Sequence, residues 1–555
     1  YVAPAGSVGP DDWNGVFAEI ADLRDTSDFD ILRLLTALYP YRGHPYVSES
    51  TWQKAEASVL GFKYWYSQPT PEGVVDDMWY WTENHLVTFH TCELLAGQLF
   101  PDTVFTTTGM TGAQHRAHAR ARLLDWFSLR ARFGFSEWIS HVYYAEDLRA
   151  LIALVEFAED EDLVRLANMT LDVMIYDLAL HSFRGALGGT HGRTYKKDKM
   201  SARDHDTYNV IKLLFGVSEE DYVGRGDTTA TMFARATGYR MPQVLLDVAT
   251  TDEPFVSRQR MGIVFDELAP ISADPQHPYG FGYDTEEDLV LWWSMSNLTA
   301  WQVVPATLAL INEYDLWETE GFTEFAAVRD LTALPGIAQT VAFNLAHAVS
   351  MALLEEVNIQ TYRTPKYMLS SAQDYRKGSR SNQSHTWQAT LGTDALVFTT
   401  HPGHPPLPST DWRDDGQPGQ WTGTASIPRA GQHENVGIYI YAPQYRSNPS
   451  PPFDLITEFE PYTHAYFPQD AFDEVVRAGH WTFAARGDAY IGLYSHLEPR
   501  FVAYDPTQIA TRGMTQPFEL RAEGSPNNVW IVEIGDRERW GRFAAFREAL
   551  ADAAI

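Results

Sequence analysis

Apolar positions in the first two thirds of the chain recur at helical spacing. Phe17, Ile20, Ala21 and Leu23, then Ile31, Leu34, Leu35 and Leu38, follow the i, i+3, i+4 rhythm of a helix with one buried face. Longer periodic stretches over 51–66, 79–100, 114–133, 145–157, 162–182, 300–314 and 337–354 continue it. Asp11 and Asp12 before Trp13, and Ser50 before Thr51, are helix-start signals. Tyr39-Pro40, Gly43-His44-Pro45 and 68–71 read as loops. From about Asn358 the rhythm shortens. Residues 396–398, 436–441, 490–494 and 528–534 alternate or stay briefly apolar, and Gly- and Pro-rich turns over 402–408 and 416–419 separate such runs. Asn527-Asn528 reads as a turn into the last of them, and a helix over 540–552 closes the chain. The pattern predicts a multidomain α + β protein. Residues 1–356 form helical hairpins in a ring or bundle, and residues 357–555 form an antiparallel β-domain with a C-terminal helix. No G-x-G-x-x-G follows a strand, which argues against a dinucleotide site.

Composition narrows the function. The chain has 555 residues, long enough for two or three domains, and its 45 % apolar content excludes wholesale disorder. One cysteine, Cys92, excludes an intramolecular disulfide and a cysteine-based zinc site. The net charge of −31 argues against a nucleic-acid binder, and no segment reaches the roughly 18 apolar residues that would span a membrane. Opening on Tyr1 rather than Met suits a mature exported protein, secreted or periplasmic, or a trimmed chain. The sequons at Asn168, Asn297 and Asn382 carry no weight at this length. Aromatic residues are abundant, with 17 Trp, 28 Tyr and 29 Phe. Sugar-handling proteins use aromatic faces in this way, and so do large cores.

Polar residues inside apolar runs are candidates for chemistry, because burying them unused is costly. Trp79-Tyr80-Trp81-Thr82-Glu83-Asn84-His85 opens a helix and sets an amide beside a base. The alternative for Asn84 and His85 is a helix cap with a neighbouring satisfied histidine. Residues 134–144, with Glu137, Trp138 and the adjacent Tyr143 and Tyr144, offer a phenolic proton donor or mere packing. The glycine-rich run 188–195 carries His191, Arg193 and Tyr195 where a side chain can approach a ligand closely. Over 191–203, five basic residues including Arg203 face only Asp198, a local charge of +4. Over 363–380 the five basic residues ending at Arg380, against Asp374, again give +4, and His385 and Trp387 follow. The arginines of 116–132 spread round a helix and read as structural. His401 and His404 would be the place for a divalent metal in the β-domain, although histidines in a turn are more often not ligands. No G-x-S-x-G or H-E-x-x-H occurs.

On Asn84-His85 the chain resembles the toroid polysaccharide lyases, the heparinase II/III-like and alginate or oligoalginate lyase group. In that group an Asn-His pair opens a helix of an (α/α) toroid, and a tyrosine segment follows. Tyr143 stands 59 residues after Asn84, behind Gly134 and Glu137, with Tyr144 as a second candidate. His385-Thr386-Trp387 resembles the histidine stretch at the start of the family's β-sandwich, and 527–533 resembles its β-domain ending. Glu83 stands where the family usually has another asparagine.

The resemblance implies a lyase that cleaves an acidic, uronate-containing polysaccharide or oligosaccharide by β-elimination and requires no cofactor. Asn84, His85, Tyr143, His191 and His385 are the implied catalytic residues. Asn84 and an imidazole, with Arg193 in support, would neutralise the uronate carboxylate. A histidine or tyrosinate would take the C5 proton, and Tyr143 would protonate the leaving oxygen. Trp79, Trp81, Glu83, Trp138, Tyr144, Arg193, Tyr195, Arg203, Arg380 and Trp387 would line the subsites. Two alternatives stand beside it. One is a glycoside hydrolase pairing Glu83 or Glu137 with Asp204 or Asp206. The other is a non-catalytic glycan-binding protein.

Overall fold

The computed structural model describes residues 6, 8–218, 220–224, 228–263, 285–294, 298, 300–323, 329, 335–349, 355–381, 383–404, 421, 424–446, 458–504, 518–553 and 555. Asn297, Asn382 and the turn-rich stretch 405–420 lie outside the described residues, as do 350–354 of the expected helix 337–354.

Side-chain caps set the helix ends. Thr111 and Gln114 form a reciprocal capping box that starts Gly112–Phe133, and Gly134, at φ 69°, ends it. Asp160 accepts from the amides of Asp162 and Leu163 and starts Glu161–His181. The cap of Glu49–Gly61 is Ser48, whose hydroxyl accepts from the Thr51 amide, rather than Ser50. Pro40, read as a loop residue, sits in the last turn of Ser27–Tyr41. Asp11 and Asp12 belong to a short 3-10 turn, Pro10–Trp13, ahead of Asn14–Ala21.

Glu83–Leu99 is the central helix of this half. It packs on Gly112–Phe133, Tyr143–Phe157 and Ser27–Tyr41, and every residue from Glu83 to Gly97 is buried. Gly97 permits a close approach, because a Cβ there would stand 2.4 Å from the Gly112 carbonyl oxygen. Tyr143–Phe157 packs in turn on Glu161–His181, and that helix on Gln243–Thr250. Among the described residues no helix is long and apolar enough to cross a membrane.

The second half is antiparallel sheet. Eight strands lie in the order Pro499–Ala503, Phe518–Glu523, Tyr462–Tyr466, Leu396–Thr400, Trp387–Thr390, Met368–Gln373, Val357–Arg363, Phe255–Met261. Six more lie in the order Glu474–Ala478, Trp481–Arg486, Ala489–Ser495, Asn528–Asp536, Val436–Tyr441, Arg429–His433. The edge strand Phe255–Met261 comes from the otherwise helical part and pairs in register with Val357–Arg363, so the large sheet reaches back across residue 356. The two sheets share one apolar core. Trp387 from one stacks on Tyr439 from the other at 4.1 Å, and the Trp530 indole donates across to Thr463 Oγ1 at 2.8 Å. The strand begins at Asn528, as read, and Asn528 donates to Thr463 and Ser495. The helical part covers the opposite face of the large sheet. The Thr190 amide donates to Ser370 Oγ, and a Cβ at Gly188 would strike Met368 and Thr390. Burial on both faces of Leu396–Thr400 explains why its first three residues read as a continuous apolar run. The chain closes with Arg537–Trp540 and Phe543–Ala551, and the latter buries Phe546 and Leu550 on Trp481, Phe483 and Tyr490.

Trp387 is therefore an inter-sheet core residue, 1 % exposed with its indole nitrogen on Thr399, and it cannot line a subsite as expected. Trp387→Ala should cost about 3–5 kcal/mol of stability, read from denaturant unfolding. A loss below ~1 kcal/mol would contradict the core assignment.

Candidate active site

The expected site residues come from four segments. The start of Glu83–Leu99 supplies Asn84 and His85. The turn before Tyr143–Phe157, and its first residue, supply Glu137 and Tyr143. The loop after Ala186–Leu187 supplies His191, Arg193 and Tyr195, and the lead into Trp387–Thr390 supplies His385. Backbone bonds join the last two segments. His191 and His385 exchange N–H···O bonds at 2.9 Å each way, and the Thr194 amide donates to the Gln383 carbonyl at 2.8 Å. The glycines of this loop serve close packing rather than ligand approach: a Cβ at Gly192 would lie 2.4 Å from the Trp138 ring.

One charged chain of contacts links these segments. Asn84 Nδ2 donates to Glu137 Oε2 at 2.8 Å, and Arg193 Nη1 donates to Glu137 Oε1 at 2.7 Å. Arg193 Nε donates to Gln383 Oε1, and its guanidinium lies 3.8 Å over the Tyr143 ring. The hydroxyls of Tyr143 and Tyr195 meet at 2.5 Å. Burial pushes the Tyr143 phenol well above its usual range, and the Arg193 charge opposes that. The phenol is thus protonated at rest beside a cation able to hold a phenolate. Arg193 remains 19 % exposed, while Asn84 is fully buried with its amide turned to Glu137. Arg193, rather than Asn84, faces outward.

His85 is held separately. Its Nδ1 donates to Asp28 Oδ2 at 2.9 Å, its Nε2 stands 3.8 Å from Asp25, and its ring stacks on Phe29. Burial alone would lower the imidazole, but the Asp28 carboxylate outweighs it and the net direction is upward. Burial also raises Asp28, so the pair retains a proton.

His191, two residues before Arg193, belongs to a histidine stack that sequence reasoning found only in part. The ring of His141 lies 3.3 Å from His191 and 3.9 Å from His205, and His191 lies 5.6 Å from His385. His191 Nδ1 donates to the Ile139 carbonyl, which leaves Nε2 a buried lone pair with no hydrogen-bond partner. Burial pushes His141, His191 and His385 well below the usual imidazole range, so they are neutral. His141, His205, Asp25 and Asp28 were missed. A histidine in 134–144 was visible, but nothing in the sequence brings His205 or residues 25–28 to it.

Several expected residues are engaged elsewhere. Glu83 is buried against Arg130 and accepts from the Ser136 amide and hydroxyl, so it supports the fold and is unavailable as a glycosidase acid. Tyr144 points away and donates to Asp177. Trp81 packs in an aromatic core with Trp293 and Phe322, and Trp138 is buried with its indole on Thr190. Only Trp79 of the three tryptophans keeps a partly open face. The basic islands are largely neutralised. Arg203 pairs with Glu220, Lys197 with Asp198, Lys377 with Asp374 and Arg376 with Glu355. Lys199 donates to the Ser384 and Trp421 carbonyls, Arg380 to Ala348, and Arg363 to Ala179 and Ser182. The helix arginines 116 and 120 pair with Glu159 and Asp160, a structural role as read. His401 is bonded to Ser426 and the Glu460 carbonyl, and the His404 side chain lies outside the described residues. No known family model matches the chain, and no curated protein matches it.

The buried neutral imidazoles give a pH signature. His141, His191 and His385 are lowered, and His181 and His401 are lowered to about 4, in each case chiefly by burial. The unfolded chain protonates each at about 6.5. Their folded values lie lower, so stability is complete above that pH and falls as pH drops through it toward about 4. Melting temperature should therefore decline below pH ~6.5, with about one proton taken up per imidazole on unfolding. A flat profile between about pH 7 and 5 would contradict neutral burial of these rings.

Proposed function

We propose that the protein is a polysaccharide lyase that cleaves a uronate-containing glycan by β-elimination, on an (α/α) toroid followed by a β-sandwich. The observation that carries the reading is the Arg193 guanidinium held by Glu137 and Gln383 over the Tyr143 ring, at the margin of solvent. Elimination needs a cation or donor for the uronate carboxylate, so that the C5 proton becomes acidic, and a proton source for the departing 4-oxygen. Arg193 suits the first task and the protonated Tyr143 the second. A base takes the C5 proton, the C5–H bonding pair forms the C4–C5 double bond, and the C4–O pair leaves with the oxygen that Tyr143 protonates. Within this cluster Tyr143 itself suits that step, as the phenolate that Arg193 can hold, and the phenol so formed then protonates the leaving oxygen; His85, held separately with the proton it shares with Asp28, is less suited. Asn84 acts through Glu137, which it orients. Helices that pack on their successors support the toroid part of the reading.

The hydrolase alternative loses Glu83, which is fully buried with its Oε2 held by Arg130 and Ser136. The test uses uronate polymers and oligomers, with product absorbance in the unsaturated-uronate band and product mass. Tyr143→Phe should lower elimination by about 10²–10⁴-fold and keep the fold. Asn84→Ala should lower it by roughly tenfold, since it only loosens Glu137. Wild-type rates in Tyr143→Phe would overturn the assignment, and new reducing ends without absorbance would favour hydrolysis.

A further inference from the structure

Away from that site, two facing helices carry ligand-type side chains at i, i+3 spacing. Glu83–Leu99 contributes His90 and Glu93, and Gly112–Phe133 contributes His115 and His118. The Glu93 carboxylate is fully buried. Its Oε1 accepts from His115 Nδ1 at 2.7 Å and its Oε2 from His118 Nδ1 at 2.8 Å. His90 Nδ1 stands 3.6 Å from the same Oε2. The His90 ring is 1 % exposed, and neither of its nitrogens has a hydrogen-bond partner. A neutral imidazole carries one N–H and one lone pair, so leaving both unmatched in the interior is costly.

We propose that His90, Glu93 and His118 bind a divalent transition metal of the zinc class and thereby staple the two helices. One donor atom from each lies within 4.8 Å of the others. Two imidazoles and a carboxylate form a donor set that suits zinc, with a water completing the tetrahedron. An ion about 2.1 Å from each donor separates the donors by roughly 3.4 Å. The 3.6 Å between His90 and Glu93 meets that spacing, and the 2.8 Å between His118 and Glu93 must open slightly. His115, bonded to Glu93 and through Nε2 to Thr108 Oγ1, braces the carboxylate from behind. Arg122 is the opposing charge: its Nε donates to His118 Nε2 at 3.0 Å, and its guanidinium lies over Trp65. Metal binding at His118 Nδ1 transfers that atom's proton to Nε2, and Arg122 then turns outward. The 28 % exposure of His118 gives the ring and the ion access to solvent.

The test uses the full chain, stripped with a chelator and titrated with Zn²⁺ or Co²⁺ alone. Elemental analysis should find one zinc per chain, with a melting temperature raised by several degrees. Co²⁺ should give the visible absorption of a four-coordinate nitrogen/oxygen site. His90→Ala and His118→Asn should abolish all three effects. His118→Asn alters a partly exposed side chain, so it and the wild-type titration decide the matter if His90→Ala does not fold. Wild-type protein with no stoichiometric uptake, or full uptake in His118→Asn, would overturn the proposal.

Discussion

The reciprocal backbone pair of His191 and His385 fastens the helical part to the sheets. It lies between two faces that both exclude water, so every polar group brought near it needs a partner inside the protein. The neighbouring contacts answer that demand. Thr190 donates to Ser370, Thr194 to Gln383, and Arg363 caps the carbonyls of Ala179 and Ser182 at the end of Glu161–His181. The same requirement creates the candidate site. Arg193 is carried by the fastened loop, and Glu137 and Gln383 fix it from either side of the junction.

A net charge of −31 is compatible with an anionic ligand only if cations are concentrated where it binds. The two +4 islands do not provide that concentration, since most of their side chains pair with local carboxylates or donate to buried carbonyls. Arg193 is held too, by Glu137, but its guanidinium lies over the Tyr143 phenol and stays partly open to solvent. In the proposed elimination a cation so placed would act on one carboxylate and one proton rather than on a long polyanion. That favours chemistry at a point over electrostatic capture along a surface.

Glu83–Leu99 shows how one buried helix serves several ends. Its first turn holds Glu83 on Arg130, Asn84 on Glu137 and His85 on Asp28, and two turns later Glu93 gathers His115 and His118. A helix buried on all sides has no solvent face on which to place polar groups. Each of these residues is therefore either paired within the protein or available to a ligand, and the unpartnered His90 belongs to the second class.

The sequence by itself determined the helical-then-sheet order, because apolar periodicity is a local property. It located Glu83–Leu99, Gly112–Phe133, Tyr143–Phe157 and Glu161–His181 to within a few residues and found the strands Val436–Tyr441 and Asn528–Asp536, but it missed Tyr208–Phe215, Thr228–Arg235, Gln243–Thr250 and Glu286–Trp293. It also picked out Asn84, His85, Tyr143, His191, Arg193, Tyr195 and His385, because polar residues in apolar runs stand out without knowledge of the fold. The tertiary structure alone decided which of them face one another. Tyr143 turns to Arg193 while its neighbour Tyr144 turns to Asp177, a difference of one residue on a helix. Trp81, Trp138 and Trp387 proved to be core, because an aromatic residue's periodicity is the same whether it meets a ligand or another ring. Phe255–Met261 joined the far sheet, and Asp28 and His205 joined the site, through contacts between residues distant in sequence. Local patterns do not encode such pairings. They arise only when burial forces each polar atom to find its partner across the fold.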